Sequence, residues 1–183
     1  MQTWSDDVVG SRPNRHKLVV RPARSEEYEL VGELTAGAYV VDGLIEADSD
    51  YVHRLKDARD RAEAAELLVA VEYPAARVVG SVTFAQSGSR YAELARDAGE
   101  ADFRMLAVAP EARNRGTGEA LVRACIDRAV TLGVRRLLLS SSTKMLAAHR
   151  LYQRLGFTRV PGLDWSPVPQ ERLLAFTKDI RAN

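Results

Sequence analysis

Two apolar segments joined by a tight turn occupy the middle of the chain. Residues 67–72 (LLVAVE) and 78–85 (VVGSVTFA) have the aliphatic and β-branched composition typical of strands, and residues 73–76 (YPAA) between them favour a turn. The pattern predicts an antiparallel hairpin. A chain with such a hairpin at its centre cannot be a purely alternating, all-parallel α/β fold, so its sheet must be mixed.

Strand and helix patterns surround this hairpin on both sides. We predict further strands at residues 17–21, 102–109, 135–141, 157–160 and 173–178, and helices at residues 26–39, 50–65, 116–132 and 144–155. This order gives one α/β domain over residues 17–180, with a mixed, mostly antiparallel central sheet of about seven strands flanked by helices. Residues 1–16 are polar and without period, and we expect a flexible N-terminal arm there.

Composition excludes several classes of protein. The chain has 26 Lys+Arg and 25 Asp+Glu, a net charge of +1, which argues against a nucleic-acid partner. The single cysteine, Cys125, rules out an internal disulfide framework and favours the cytoplasm, and the 3 histidines lack metal-ligand spacing. No apolar run approaches the roughly 20 residues that span a membrane, so we expect no membrane association and no metal.

The segment at residues 108–119 (VAPEARNRGTGE) follows a strand and opens a helix. A helix N-terminus presents unpaired N–H groups and partial positive charge, and glycines there allow an anion to approach closely. Arg113 and Arg115 add full charges, so the segment predicts a phosphate or diphosphate site; the alternative is a solvated helix cap. The P-loop lysine is missing because Glu119 follows Gly118, and Leu121 replaces the last glycine of the dinucleotide fingerprint.

A second segment, residues 148–157 (AHRLYQRLGF), follows one βα unit later. Ala148, Leu151, Tyr152 and Leu155 have the i, i+3, i+4, i+7 spacing of a core-facing helix stripe. On this periodicity alone, Tyr152 is a packed core tyrosine. His149, beside the stripe, is expected to be exposed.

Together the two segments resemble the Gcn5-related N-acetyltransferase (GNAT) family, and the element order matches as well. The first reads Arg113-Asn-Arg-Gly116-Thr-Gly118, like the family's Arg/Gln-x-x-Gly-x-Gly/Ala motif, and residues 151–157 resemble its LYxxxGF signature. The resemblance covers about residues 17–180 and implies the acyl-CoA N-acyltransferase fold. It also implies that acetyl-CoA is bound by Leu106, Ala107, Val108, Arg113, Asn114, Arg115, Gly116, Thr117, Gly118 and Glu119.

The resemblance further implies transfer of an acetyl group from acetyl-CoA to a primary amine of a small molecule or peptide, by direct attack in a ternary complex. The Val108 N–H would face the thioester oxygen, and Tyr152 would act as the acid for the departing thiolate. Family members are often dimers, so a homodimer is an option. Two other classes stay open: a non-catalytic acyl-CoA sensor on the same fold, and a phosphate-ligand or nucleotide module unrelated to CoA.

The general base has three candidates. Asp102 lies six residues before Val108, where some family members carry a catalytic Glu, and Glu100 has the same strand parity. Strand alternation puts Asp102, Arg104, Leu106 and Val108 on one face if no bulge intervenes. Either acid could instead pair with Arg104 or face solvent, and a water chain could do the same work.

Two departures from the family pattern concern substrate contacts. Met145 stands where the family often has an Asn for the pantetheine arm, and residues 140–142 (SSS) replace a frequent Glu. By resemblance, two loops flank the acceptor, and their candidate contacts are Trp165, Tyr39, Asp42 and Glu46. The acceptor's identity and the acyl chain length are not encoded in any motif.

Overall fold

The computed structural model describes residues 17–180, so the arm expected at residues 1–16 lies outside the described residues. Eight strands form one sheet: β1 (Lys17–Pro22), β2 (Glu66–Tyr73), β3 (Arg77–Gln86), β4 (Glu100–Val108), β5 (Arg136–Ser142), β6 (Thr158–Arg159), β7 (Trp165–Val168) and β8 (Glu171–Asp179). The helices are α1 (Tyr28–Val41), α2 (Asp50–Lys56), α3 (Ala58–Ala64), α4 (Thr117–Thr131) and α5 (Leu146–Arg154). Within residues 17–180, no helix combines the length and apolarity needed to cross a membrane.

The sheet is mixed, as the central hairpin predicted. Its order is β1-β2-β3-β4-β5-β8-β6, with β7 paired to β8, and every neighbouring pair is antiparallel except β4 and β5. The parallel pair is short: its register runs only from Glu100 opposite Arg136 to Asp102 opposite Leu138. Beyond that point the two strands separate, which opens a split in the middle of the sheet.

Helices cover both faces of the sheet. On one face, α4 and α5 pack through residues such as Cys125 and Tyr152 against Phe84 and Phe103 of the sheet. On the other face, α1, α2 and α3 pack in two smaller clusters, one around Val31 and one around Ala36, Leu55 and Met105. The split between β4 and β5 is therefore reached from both layers.

A β-bulge interrupts β4 at Met105, whose φ of 52° is in the left-handed region. Ser81 of β3 pairs with Ala107 and Thr83 pairs with Arg104, so β4 has one residue more than β3 over this stretch. Side chains of β4 change face at the extra residue. The condition for placing Asp102 and Val108 on one face, that no bulge intervenes, is therefore not met, and the two side chains lie on opposite faces.

Two local elements differ from the prediction, and the second of them changes the strand count. The helix expected at residues 50–65 is two helices, because the Asp57 side chain accepts the N–H of Asp60 at 2.9 Å and starts a new helix there. The loop around Trp165 contains the short strand β7, with Pro167 in it. The strand count is eight rather than about seven.

Candidate active site

Two cavities adjoin at the split between β4 and β5. The first, of about 610 Å³, lies between the end of β4, the start of α4 and α5, and we call it the α4 groove. The second, of about 460 Å³, lies between β4, β5, β7 and the α1–α2 connection, and we call it the β7 pocket. Both fall in the size range of small-molecule sites. Three residues line both cavities: Tyr39, Leu44 and Met145.

The α4 groove is built around the start of α4. Gly116 caps the helix with a φ of 84°, and Asn114 before it has a φ of 58°, so the loop curls back and its backbone is exposed. A Cβ added at Gly116 would have no atom within 4 Å, whereas one at Gly118 would lie 3.7 Å from Leu151 and 3.8 Å from Val108. The first-turn N–H groups, which have no partner inside the helix, therefore open beside the end of β4.

Positive side chains surround this helix start. Arg113, Lys144 and Arg154 line the groove. Arg113 pairs with Asp42 at 2.7 Å, and Arg154 pairs with Glu119 at 2.7 Å. Hydrogen bonds from Arg154 and Arg123 lower the pKa of Glu119. This carboxylate therefore stays ionised next to the anion site, and the two arginines balance its charge. The arrangement of N–H groups, helix dipole and cations suits a phosphate group.

Nine of the ten residues predicted to bind the cofactor line the α4 groove: Leu106, Ala107, Val108, Arg113, Asn114, Gly116, Thr117, Gly118 and Glu119. The tenth, Arg115, is not among the lining residues, and its guanidinium pairs with Glu72 of β2. The Thr117 hydroxyl is buried and donates to the Ala112 carbonyl at 3.0 Å, so this residue contributes backbone rather than side chain to the groove.

Tyr152 lies beneath the split rather than in the lining of either cavity. It is 3% exposed, and its ring contacts Phe103, Phe157 and Phe176 at centroid distances of 6.0, 6.1 and 5.7 Å. Burial raises the pKa of its hydroxyl well above 10. The hydroxyl is therefore protonated at neutral pH and is a weaker acid than an exposed tyrosine.

Asp102 is 2% exposed and is turned away from the face that carries Val108. Its Oδ2 accepts the backbone N–H groups of Glu93, Leu94 and Ala95 at 2.6, 2.7 and 3.2 Å. Burial raises its pKa, against the effect of these donors. The geometry is that of a loop anchor, and it gives no support to Asp102 as the base.

Glu100 anchors the same connection between β3 and β4. Its Oε2 accepts the N–H groups of Arg96 and Asp97 at 3.0 and 3.1 Å, and Arg136 pairs with its other oxygen. Burial alone would raise the pKa of Glu100, but these donors outweigh it and lower the pKa. Neither candidate base lines one of the two cavities.

A carboxylate that sequence reasoning missed does line the β7 pocket. Glu93 is held by Arg104 at 2.8 Å and by the Ser140 hydroxyl at 2.9 Å, so it spans the two separated strands. Arg104 also donates to the Tyr51 hydroxyl at 3.2 Å. The sequence gives only an indirect signal for the position of Glu93. Two acids, Glu100 and Asp102, stand at the end of the long polar connection that carries Glu93. Such acids can cap the N–H groups of that connection.

The other predicted contacts divide between the two cavities. Trp165 lines the β7 pocket, Asp42 lines the α4 groove and Tyr39 lines both; Glu46 is not in the lining of either. His149 is 9% exposed, not exposed as expected, because it packs on Phe176 at a ring distance of 5.2 Å. Burial lowers its pKa.

A mixed sheet whose only parallel pair parts beside the N-terminus of a helix defines the acyl-CoA N-acyltransferase fold. Residues 28–157 match the model of the acetyltransferase (GNAT) family, and the chain belongs to that family. No curated protein sequence is significantly similar to it.

Solved structures of other acetyltransferases share the fold. An acetyltransferase from Staphylococcus aureus superposes with a TM-score of 0.71 at 15% identity, covering 90% of this chain and 100% of its own. A Gcn5-related N-acetyltransferase from Kribbella flavida gives 0.65 at 22% identity, with 88% and 97% covered. A putative acetyltransferase from Salmonella typhimurium, solved with its cofactor acetyl-CoA, gives 0.65 at 19% identity, with 91% and 96% covered.

Proposed function

We propose that this protein transfers an acetyl group from acetyl-CoA to a primary amine of a small molecule or peptide. The observation that carries the proposal is the pair of cavities that meet at the split between β4 and β5. One ends at a helix N-terminus suited to a diphosphate, and the other opens on the opposite side of the same strand. Two substrates bound there would meet at the strand, as direct transfer requires.

The residues of the α4 groove fit a CoA diphosphate. The positive φ of Gly116 exposes the loop backbone, and the absence of any atom within 4 Å of an added Cβ leaves room for an anion. Arg113 and Arg154 supply charge. In this proposal the pantetheine arm runs along Leu106, Ala107 and Val108 toward the β7 pocket, where acetyl-CoA would deliver the acetyl group.

The chemistry places three demands on the protein. An alkyl amine, with a pKa near 10.4, must lose a proton before it attacks. The oxyanion of the tetrahedral intermediate needs a fixed donor, for which we propose the Val108 N–H. The departing thiolate needs a proton, for which we propose Tyr152, the buried tyrosine beneath the split. Water that reaches the β7 pocket would remove the amine proton.

The first test measures thermal unfolding in parallel with acetyl-CoA, CoA, ATP and NADH. A ligand at about 100 times its dissociation constant adds roughly 2.7 kcal/mol, which raises the melting temperature of a chain of this size by about 5–10 °C. We expect shifts with both CoA species. A shift with ATP or NADH but not with CoA would favour a nucleotide module.

Turnover then separates an enzyme from a sensor. Release of free CoA thiol is followed with a panel of amines at saturating acetyl-CoA. Amine-dependent thiol release supports acetyl transfer. Binding of acetyl-CoA without thiol release from any amine would contradict the proposal and favour the non-catalytic acyl-CoA sensor.

A further inference from the structure

The β7 pocket has a balanced set of charges. Four charged side chains line it, the arginines Arg54 and Arg104 and the glutamates Glu93 and Glu171. A pocket for a simple cationic amine would gain from an excess of acid, because the ammonium must leave water to enter it. A balanced pocket is suited to a ligand that itself carries both charges.

The central pair of this set spans the split. Arg104, on β4, and Glu93, on the connection before β4, lie 2.8 Å apart with side chains 12% and 18% exposed. Glu93 is also tied to Ser140 of β5. The connection between β3 and β4 is held in place at this point, because Asp102 accepts the N–H of Glu93 itself at 2.6 Å. The pair is thus pre-positioned at the pocket wall rather than free to move with solvent.

Two buried hydrogen-bond donors, on side chains that line this pocket, have no partner within residues 17–180. They are the Nε–H of Arg104 and the indole N–H of Trp165, and both residues line the β7 pocket. Buried donors without acceptors are rare in folded proteins and call for an explanation by a ligand or an ordered water. A ligand that pairs with both donors must supply hydrogen-bond acceptors. Of the possible acceptors, a guanidinium favours a planar carboxylate.

We propose that the acceptor amine is zwitterionic, a free amino acid whose ammonium is received by Glu93 and whose carboxylate is received by Arg104 and the Trp165 N–H. When the ligand binds, the ion pair between Glu93 and Arg104 is replaced by two, one from Glu93 to the ammonium and one from Arg104 to the carboxylate. The net charge of the pocket is unchanged. The apolar wall, which includes Ile45, Met105 and Leu173, favours an apolar or aromatic side chain on that amino acid. This inference rests on the proposed acetyl transfer and narrows its substrate.

The test uses four probes of one shape: L-phenylalanine, L-phenylalaninamide, phenethylamine and 3-phenylpropanoate. Their binding is measured by calorimetry, with the protein both free and saturated with CoA, and thiol release from acetyl-CoA is followed in parallel for the three amines. We expect phenylalanine to bind at least tenfold more tightly than the amide, the amine or the carboxylate alone. Equal binding of phenylalanine and its amide, or no binding of any probe, would overturn the inference.

Variants identify the residues responsible for the preference for phenylalanine over its amide. Arg104→Met and Trp165→Phe should each lower the affinity for phenylalanine toward that for the amide. Trp165→Phe should leave phenethylamine within about twofold, whereas Arg104→Met, which releases Glu93 from its ion pair, should leave phenethylamine equal or tighter. Glu93→Gln should weaken every probe that carries an ammonium. Arg128→Gln, which breaks an ion pair with Glu66 between α4 and β2, is the matched control and should change nothing. Trp165→Phe keeps the test valid if Arg104→Met unfolds, and a preference that survives Trp165→Phe unchanged contradicts the N–H contact.

The two proposals fail in different ways. Failure to bind CoA or to release thiol with any amine contradicts acetyl transfer. Normal turnover with phenethylamine and no preference for phenylalanine contradicts only the zwitterionic acceptor.

Discussion

At the scale of single residues, Gly116 combines a positive φ with an open approach for an anion. We predict that Gly116→Asp lowers acetyl-CoA affinity roughly 100-fold, because a carboxylate beside a diphosphate costs several kcal/mol. Gly116→Ala is the control for backbone strain alone. It should lose about 1 kcal/mol of stability and keep most of its affinity. Calorimetric titration with acetyl-CoA measures both, and equal losses for the two variants would assign the effect to strain.

A variant of Tyr152 tests whether this residue is the proton donor. We predict that Tyr152→Phe lowers kcat by roughly 100-fold, the usual contribution of a general acid, while the Kd of acetyl-CoA changes by no more than a few fold. The ring contacts with Phe103 and Phe176 survive the change, so the fold should persist. Steady-state kinetics and direct titration separate the two constants. An unchanged kcat would leave Tyr152 as a core residue only.

A variant of Asp102 tests whether this buried acid is the general base or an anchor for the loop before β4. As an anchor, it accepts three backbone N–H groups, so Asp102→Ala, which leaves them without an acceptor, should lower the free energy of unfolding by about 1–3 kcal/mol. The midpoint of the pH–rate profile should stay where it is in the wild type. Urea unfolding and the pH dependence of kcat/KM give the two quantities, and a shifted midpoint would return Asp102 to the role of base.

At the scale of elements, α1 and α2 are in close contact at Gly32. A Cβ there would lie 2.1 Å from the backbone oxygen of Lys56, so the helices must separate to admit it. We predict that Gly32→Ala destabilises the protein by roughly 1–3 kcal/mol.

Gly37 on the same helix provides the control for that prediction. It is exposed and has nothing within 4 Å of an added Cβ, so Gly37→Ala should be neutral or stabilise by up to about 1 kcal/mol. Thermal melts of the two variants decide the matter. A stabilised Gly32→Ala would mean that the helices are not held this close.

Most strands and helices follow from the sequence because apolar runs and periodicity are local properties. The break at Asp57 does not, because it depends on whether one carboxylate caps a new helix or points to solvent. The left-handed Met105 has no sequence signal either: bulges favour glycine at such a position, and none is present.

The candidate site divides in the same way. The α4 groove is predictable, since a glycine-rich helix start is one continuous segment. The β7 pocket is predictable only in part: the family resemblance indicated Trp165 and Tyr39, whereas Glu93 and Arg104 come from separate segments and meet only through the tertiary fold.

At the scale of the whole molecule, acid should unfold the protein through paired carboxylates. Asp164 accepts from Arg159 at 2.9 Å and from the Ala175 N–H at 2.9 Å, and Arg159 holds its pKa at about 2. An unfolded aspartate has a pKa near 3.9, so the stability from this group is present above pH 4 and lost as the pH falls toward about 2.

Asp164→Asn isolates that contribution. We predict that the variant is less stable than the wild type at pH 7, and that the difference narrows between about pH 4 and pH 2, since asparagine does not titrate. Urea unfolding at a series of pH values measures the gap. A gap independent of pH would show that the ionisation of Asp164 contributes nothing.

The bulge at Met105 also has a consequence for the history of such a chain. Before it, β4 contributes Arg104 and Met105 to the β7 pocket; after it, Leu106 to Val108 line the α4 groove, and no position of the strand serves both. Mutations can therefore accumulate in one half of β4 while selection holds the other half constant. Under the proposed function, a lineage can diversify in its acceptor amines while it inherits an unchanged groove for acetyl-CoA.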